Sequence, residues 1–241
     1  MDVRPDKGTF QQADLATYDA ELNQGISLSG EDKDFFAMGR LEILAKCLQS
    51  RGSPAPSAIL DYGCGAGDTT VRLAHLWTQS RVVGVDTSES LLSVARTRTN
   101  GQSRCEFYAP VSVPKGLRFD LVYCNGVFHH IPPAERDAAL NWIQTRMAPA
   151  AWFALWENNS WNPGTRWVMR RIPFDRGAIP LSPLQAIRML KRNGFAVQSC
   201  DFAFVFPKCL KGLRPLEPWL RKWPIGAQYQ ILSRQEPPPC G

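Results

Sequence analysis

The stretch Ile59–Thr70, ILDYGCGAGDTT, constrains the chain more than any other. Ile59 and Leu60 lead into Asp61 and then into glycines at 63, 65 and 67. Glycine enters the left-handed backbone region without steric cost and has no Cβ to hold a ligand away. Such a loop after a short apolar run predicts a tight turn, with or without a ligand against its backbone. A dinucleotide fingerprint requires a further glycine at 68 or 70, where Asp68 and Thr70 stand. A P-loop requires Gly-Lys-Ser/Thr, and this loop has no lysine. Phosphate-bearing cofactors are therefore disfavoured.

Strand and helix signals alternate around the loop. Ser29–Asp32 reads as a helix start, with Ser29 as cap and Asp32 reaching back. Apolar positions Phe35, Leu41, Leu44, Cys47 and Leu48 carry that helix to about Ser50. Further strands are predicted at 59–62, 81–86, 119–125 and 151–156, and helices at 69–78, 88–97, 132–147 and 183–193. The alternation predicts a Rossmann-like, doubly wound α/β sheet, mostly parallel, with helices on both faces. Residues 195–206 and 227–233 read as a C-terminal antiparallel hairpin. We expect one domain over 1–241, with an N-terminal cap at 1–50, a lid insertion at 157–182 and a basic insertion at 207–226.

The 241 residues are 44% hydrophobic, enough for a sizeable core. No apolar run approaches a membrane span, and the start has no signal-peptide pattern. Seven cysteines without a CxxC pair predict reduced thiols, no metal site and a cytoplasmic protein. Of the net charge of +6, residues 161–241 carry +9 and residues 1–160 carry −3. That asymmetry suits an anionic substrate, an anionic surface or a solvated basic face. No nucleic-acid-binding motif accompanies it.

Three elements occur in order: Asp61-x-Gly63-x-Gly65-x-Gly67 after a strand, Asp86 ending the next strand, and FDLVYCNGVFHHIPP over 119–133. Together they resemble class I S-adenosylmethionine-dependent methyltransferases over roughly residues 55–160. The resemblance implies S-adenosyl-L-methionine as cofactor. Asp61 would receive its ammonium group, and Gly63, Gly65 and Gly67 would lie against its methionine part. Asp86, followed by Thr87, would accept the ribose hydroxyls, and Asn125 would stand beside the transferable methyl group. Tyr18 would close over the cofactor from the N-terminal segment. Many members carry an acidic residue near the adenine after the third strand. Here CEFYAPVSVP leaves Tyr108 and Ala109 to make apolar or backbone contacts.

A sulfonium already activates the methyl group, so catalysis is mainly alignment. A base is needed only for a protonated nucleophile, and His129 or His130 is placed for that role. Adjacent side chains are expected to diverge, so only one should face the pocket. Glu157 and Asn158 follow a strand at the end of the sheet where α/β sites form. Trp156 and Trp161 are candidates to face a cation, and Arg166, Arg170, Arg171 and Arg176 to hold an anion, with Asp175 as a pairing partner. The same segment also reads as a well-bonded lid with no ligand. The insertion contains Leu213, Leu216, Trp219, Leu220 and Trp223 among basic residues, which suits packing over the hairpin or peripheral membrane contact.

The leading expectation is methyl transfer to a small molecule, on oxygen, nitrogen or carbon, since NGVFHHIPP replaces the signature of many nucleic-acid amino methyltransferases; an anionic acceptor is one candidate. The alternative is a cofactor-cyclising lyase resembling azetidine-2-carboxylate synthases, which releases methylthioadenosine. A non-catalytic scaffold is the third class.

Overall fold

The computed structural model describes residues 30–99, 104–171 and 177–235. One seven-stranded sheet runs through them in the order β3-β2-β1-β4-β5-β7-β6. The strands are β1 (Ala58–Tyr62), β2 (Arg81–Val85), β3 (Cys105–Tyr108), β4 (Phe119–Asn125), β5 (Met147–Asn158), β6 (Phe195–Ala203) and β7 (Gln228–Gln235). The first five are parallel, and β7 pairs antiparallel with both β5 and β6. Chain direction across the sheet reverses between β1 and β4. Ligands of open α/β sheets bind at such a switch point, beyond the carboxyl ends of the strands.

Helices α1 (Lys33–Gln49) and α2 (Asp68–Leu76) cover one face. Their Leu41, Leu44, Leu48 and Leu73 meet Ile59, Leu121, Tyr123, Trp152 and Trp156. On the opposite face, α4 (Arg136–Gln144) and α6 (Pro183–Arg192) bring Leu140, Ile143, Met189 and Leu190 against Leu60, Val122, Phe153, Leu155 and Ile231. Strand alternation explains this division, because successive residues point to opposite faces. A smaller cluster joins Leu92 and Ala95 of α3 (Glu89–Arg98) to Cys64 and Phe107.

The start of α1 differs from expectation. Asp32, not Ser29, is the cap: its backbone is extended and its carboxylate accepts the Phe35 N–H at 2.8 Å. Gly30, at φ +75°, turns the chain just before it. Ser29 and Tyr18 lie outside the described residues, as do Asp175 and Arg176.

The end of the fifth strand also differs from expectation. Strand β5 continues through Glu157 and Asn158 because β7 pairs with both positions. Beyond Asn158 the chain turns and enters α5 (Pro163–Met169). Asn159 is buried and donates to the Pro224 and Gly226 carbonyls, while its Oδ1 accepts the Trp161 N–H. Asn162 caps α5 and donates to the Ile225 carbonyl; Thr165 donates to that of Ala227. The post-β5 segment and the C-terminal insertion are therefore one stitched unit.

Within the insertion, Glu217 accepts the Val205 and Phe206 amides, and the Arg221 carbonyl accepts the Phe202 N–H. The short helix α7 (Glu217–Leu220) carries Trp219, 78% exposed, and Trp223 beyond it is 64% exposed. No helix among the described residues is long and apolar enough to cross a membrane.

Candidate functional site

The glycine loop joins β1 to α2, and all three glycines have positive φ: +77° at Gly63, +54° at Gly65 and +83° at Gly67. Their surroundings differ. A Cβ at Gly63 would strike Val127, and one at Gly67 would lie 2.9 Å from the Phe107 ring. At Gly65 the same construction meets nothing within 4 Å. Two of the glycines thus permit close packing, and the middle one faces open space.

Asp86, half-buried after β2, clamps this loop. Its Oδ2 accepts the Gly65 N–H at 2.9 Å and its Oδ1 accepts the Ser88 N–H at 2.9 Å. Each oxygen retains capacity for another donor. The adjacent Thr87 is exposed.

Asp61 lies one register step below the loop and is 2% exposed. Burial pushes its pKa up to about 7, against the Thr70 hydroxyl, which donates to Oδ2 at 2.7 Å; the Asp86 charge raises it further and Arg40 lowers it. A buried carboxylate that is costly to ionise alone is suited to receiving a cation. These features fit the methionine and ribose parts of S-adenosylmethionine: open space over Gly65, a buried acid on one side and a half-buried acid on the other.

Tyr108 is tied elsewhere. Its hydroxyl donates to Glu106 at 2.6 Å, and Glu106 is held by two bonds from Arg81. That pairing draws the Tyr108 hydroxyl toward β3's own strand neighbour, so any contact with a base would be through its ring.

At the ends of β4 and β5 the structure joins two predicted residues directly. Glu157 Oε2 lies 2.5 Å from His129 Nδ1, and Glu157 Oε1 accepts the Phe128 N–H at 2.8 Å. Both side chains are buried. The expected divergence of the histidines is corrected: the His129 and His130 ring centroids are 4.1 Å apart. The loop after β4 folds back at Gly126, φ +67°, and places the rings together. The Ile179 N–H donates to the His129 carbonyl, and Arg136 donates to the Ile131 and Ile179 carbonyls, so the returning chain docks on this loop.

Asn125 ends β4 half-buried, on the same sheet face as Tyr123. Trp156 is corrected as a ligand contact. It is 0% exposed, because β5 is a central strand and alternation turns Trp156 under α1, near Phe204. Asn158, two residues on, is half-buried and accepts from Gln228 Nε2 at 3.2 Å. Trp161, Arg166 and Arg171 are exposed, and Arg171 stacks on Trp167 at 3.7 Å. No hydrogen bond links these three side chains to the glycine loop among the described residues.

Sequence reasoning missed Arg40, which is buried within α1. The signal was present: Arg40 lies four residues from both Phe36 and Leu44, on the apolar stripe of the helix. Among the described residues no group of histidine, cysteine or carboxylate side chains is arranged to hold a metal.

Residues 59–150 match a family model described as a methyltransferase domain. A trans-aconitate 2-methyltransferase of Rhodopseudomonas palustris is 41% identical over 81 residues, 32% of this chain and 30% of that protein. The enzyme of the same description from Variovorax paradoxus is 29% identical over 57% of this chain and 52% of its own length. The chain therefore spans about a third to a half of the length of these curated relatives. The magnesium protoporphyrin IX methyltransferase of Synechocystis, crystallised with S-adenosylhomocysteine, has the same fold: TM-score 0.63, 15% identity, covering 94% of this chain and 96% of that one. The glycine loop and its two acids fall within the segment that matches a methyltransferase domain, and the sheet around them has the fold of the Synechocystis enzyme.

Proposed function

We propose that this protein transfers the methyl group of S-adenosylmethionine to a small acceptor bearing a carboxylate. The cofactor supplies a methyl group activated by its sulfonium, so the chain's task is to bind, align and exclude water. The observation that carries the reading is the open space over Gly65, between Asp61 and Asp86, inside a segment matching a methyltransferase domain. Relatives named for trans-aconitate, an anion, support the acceptor class, as does the +9 charge of residues 161–241.

In this reading Asp61 receives the ammonium group, Asp86 the ribose hydroxyls, and Asn125 stands beside the methyl group. An ionised carboxylate needs no general base. His129 is then a positioning residue. Glu157 holds both its ring and the Phe128 amide, which fixes the loop that follows Asn125. Asn158 and Trp161 face the acceptor's approach, and Arg166 and Arg171 give that approach a positive potential.

The test is product identity. Incubation with S-adenosylmethionine and trans-aconitate should yield S-adenosylhomocysteine and a methyl ester, and neither without the acceptor. Enzyme-dependent methylthioadenosine from the cofactor alone would instead establish the cyclising lyase. The methyltransferase names of the relatives favour the first outcome.

A further inference from the structure

The insertion between β6 and β7 leaves most of its apolar residues uncovered. Leu210, Leu213, Leu216, Trp219, Trp223 and Ile225 are all exposed. Single exposed apolar residues are ordinary, but a cluster of large ones within one connection marks an interaction surface.

Local geometry orders this cluster. A 3-10 helix covers Lys208–Leu216, with its regular turn broken at Leu210, φ −110°. Such a helix has three residues per turn, so positions three apart lie above one another. Leu213 and Leu216 therefore share one stripe, and Trp219 continues the spacing into α7. Lys211 and Arg214 share a neighbouring stripe, with Lys208 at the same interval before the break. An apolar stripe beside a basic one is the pattern of a helix that lies in a membrane interface.

Charge points the same way. Residues 207–226 contain five cations and one acid. That acid, Glu217, is turned to the backbone, where it accepts the Val205 and Phe206 amides. Arg221 and Lys222 stand over the buried Asp201 at 3.4 and 2.5 Å, two positive charges on one negative. Arg214 pairs with Glu31 and lies over the Phe35 ring. Among the described residues Lys208 and Lys211 enter no ion pair. Tryptophan rings settle at headgroup depth, and lysines beside them meet anionic headgroups. A two-fold contact with a second copy would instead set these cations against themselves.

The surface is also preformed. The Arg221 carbonyl accepts the Phe202 N–H, and Asn159 and Asn162 hold the carbonyls of Pro224, Ile225 and Gly226. Docking therefore need not order the chain first. β6 ends at Ala203, and β7 begins at Gln228, which pairs with Asn158 at the end of β5. The insertion thus lies at the carboxyl end of the parallel strands, the end that also carries the glycine loop.

We infer that the insertion docks on an anionic lipid bilayer, with Trp219 and Trp223 in the headgroup layer and Lys208 and Lys211 against its anions. The contact is at the surface, since no helix among the described residues is long and apolar enough to cross. It does not depend on which acceptor the site methylates.

Flotation of the full chain with vesicles tests this. One set is phosphatidylcholine alone, and the other is equal parts phosphatidylcholine and phosphatidylglycerol. Wild type should float with the mixed vesicles and partition onto the neutral ones at least about tenfold less. Trp219→Ser combined with Trp223→Ser should lower partition onto the mixed vesicles at least about tenfold, as should Lys208→Glu combined with Lys211→Glu. All four residues are exposed, so both variants should keep the wild-type melting temperature and S-adenosylhomocysteine affinity. Wild type that stays in the soluble fraction, or that floats equally with both sets, overturns the inference. So does binding that the lysine variant weakens and the tryptophan variant does not, which is adhesion of a basic surface without entry of the rings. Light scattering is the remaining arm. A wild-type dimer that the tryptophan variant dissociates would give this face to a second copy, and the inference falls.

Discussion

Asp86 Oδ2 accepts the Gly65 N–H at 2.9 Å, so the residue assigned to the ribose also holds the loop assigned to the methionine part. One carboxylate couples two portions of the site. Asp86→Ala should lose two charge-assisted bonds to ligand, each worth about 1.5–3 kcal/mol, and release the loop as well. We expect at least about a hundredfold loss of S-adenosylhomocysteine affinity by calorimetry, with a cooperative melt retained. A folded variant that binds like wild type would remove Asp86 from the site.

The three glycines should respond differently to alanine. At Gly65 the added methyl meets open space, so the cost to folding is the left-handed backbone alone, roughly 1–2 kcal/mol. At Gly63 the methyl also drives into Val127, adding about 1–3 kcal/mol of overpacking. Denaturant melts should therefore rank Gly65→Ala as the more stable variant, while titration ranks it the poorer ligand binder among folded proteins. The reverse order in stability would mean the space over Gly65 is filled.

Much of this was legible in advance, and for physical reasons. The loop, Asp61 and Asp86 were found because glycine spacing and strand-end acids are local patterns. The pairing of Glu157 with His129 was not, since it depends on β5 running beside β4 and the loop after Asn125 folding back. Trp156 misled because its neighbours Glu157 and Asn158 lie at a strand end, while alternation turns Trp156 itself inward. Arg40 was passed over because a single charge on an apolar stripe is easily averaged away. The union of the post-β5 turn with the insertion is carried by side-chain bonds to carbonyls about sixty residues distant, which no local pattern encodes.

Asp61 gives a pH dependence of known sign. In the unfolded chain it ionises near 3.8; folded, burial holds its proton to about 7. Between those values the folded state binds more protons, so stability falls as pH rises through this window and levels above it. The full effect is on the order of 4 kcal/mol. Asp61→Asn should flatten that decline and make the apo protein more stable at pH 8, while weakening S-adenosylhomocysteine binding there. Denaturant midpoints from pH 4 to 8 check it; an unaltered slope in the variant would assign the decline to other groups.

His129 offers a test of the positioning role against general-base catalysis. With a carboxylate acceptor, turnover should not depend on a group titrating near 6–7. We expect a flat kcat profile from pH 6 to 9 in wild type and in His129→Asn, with the variant's deficit being in melting temperature. An ascending limb present in wild type and absent in the variant would make His129 the base and point to a hydroxyl or amine acceptor.

Asn159 tests whether the segment after β5 and the insertion move as one. Its Nδ2 serves the Pro224 and Gly226 carbonyls, and its Oδ1 orders the Trp161 amide. Alanine there leaves three backbone groups short of a partner; the Gly226 carbonyl, whose bond is buried, costs about 1–3 kcal/mol, and the part-buried Pro224 carbonyl and Trp161 amide less. None of these bonds reaches the glycine loop, whose own clamp runs through Asp86. Hydrogen exchange in Asn159→Ala should therefore accelerate together in peptides covering 159–169 and 224–227 and stay unchanged over 61–70. S-adenosylhomocysteine affinity should remain within about threefold, under 1 kcal/mol. Acceleration confined to one of the two segments would show that they are held independently, because a shared side chain cannot be removed from one partner alone.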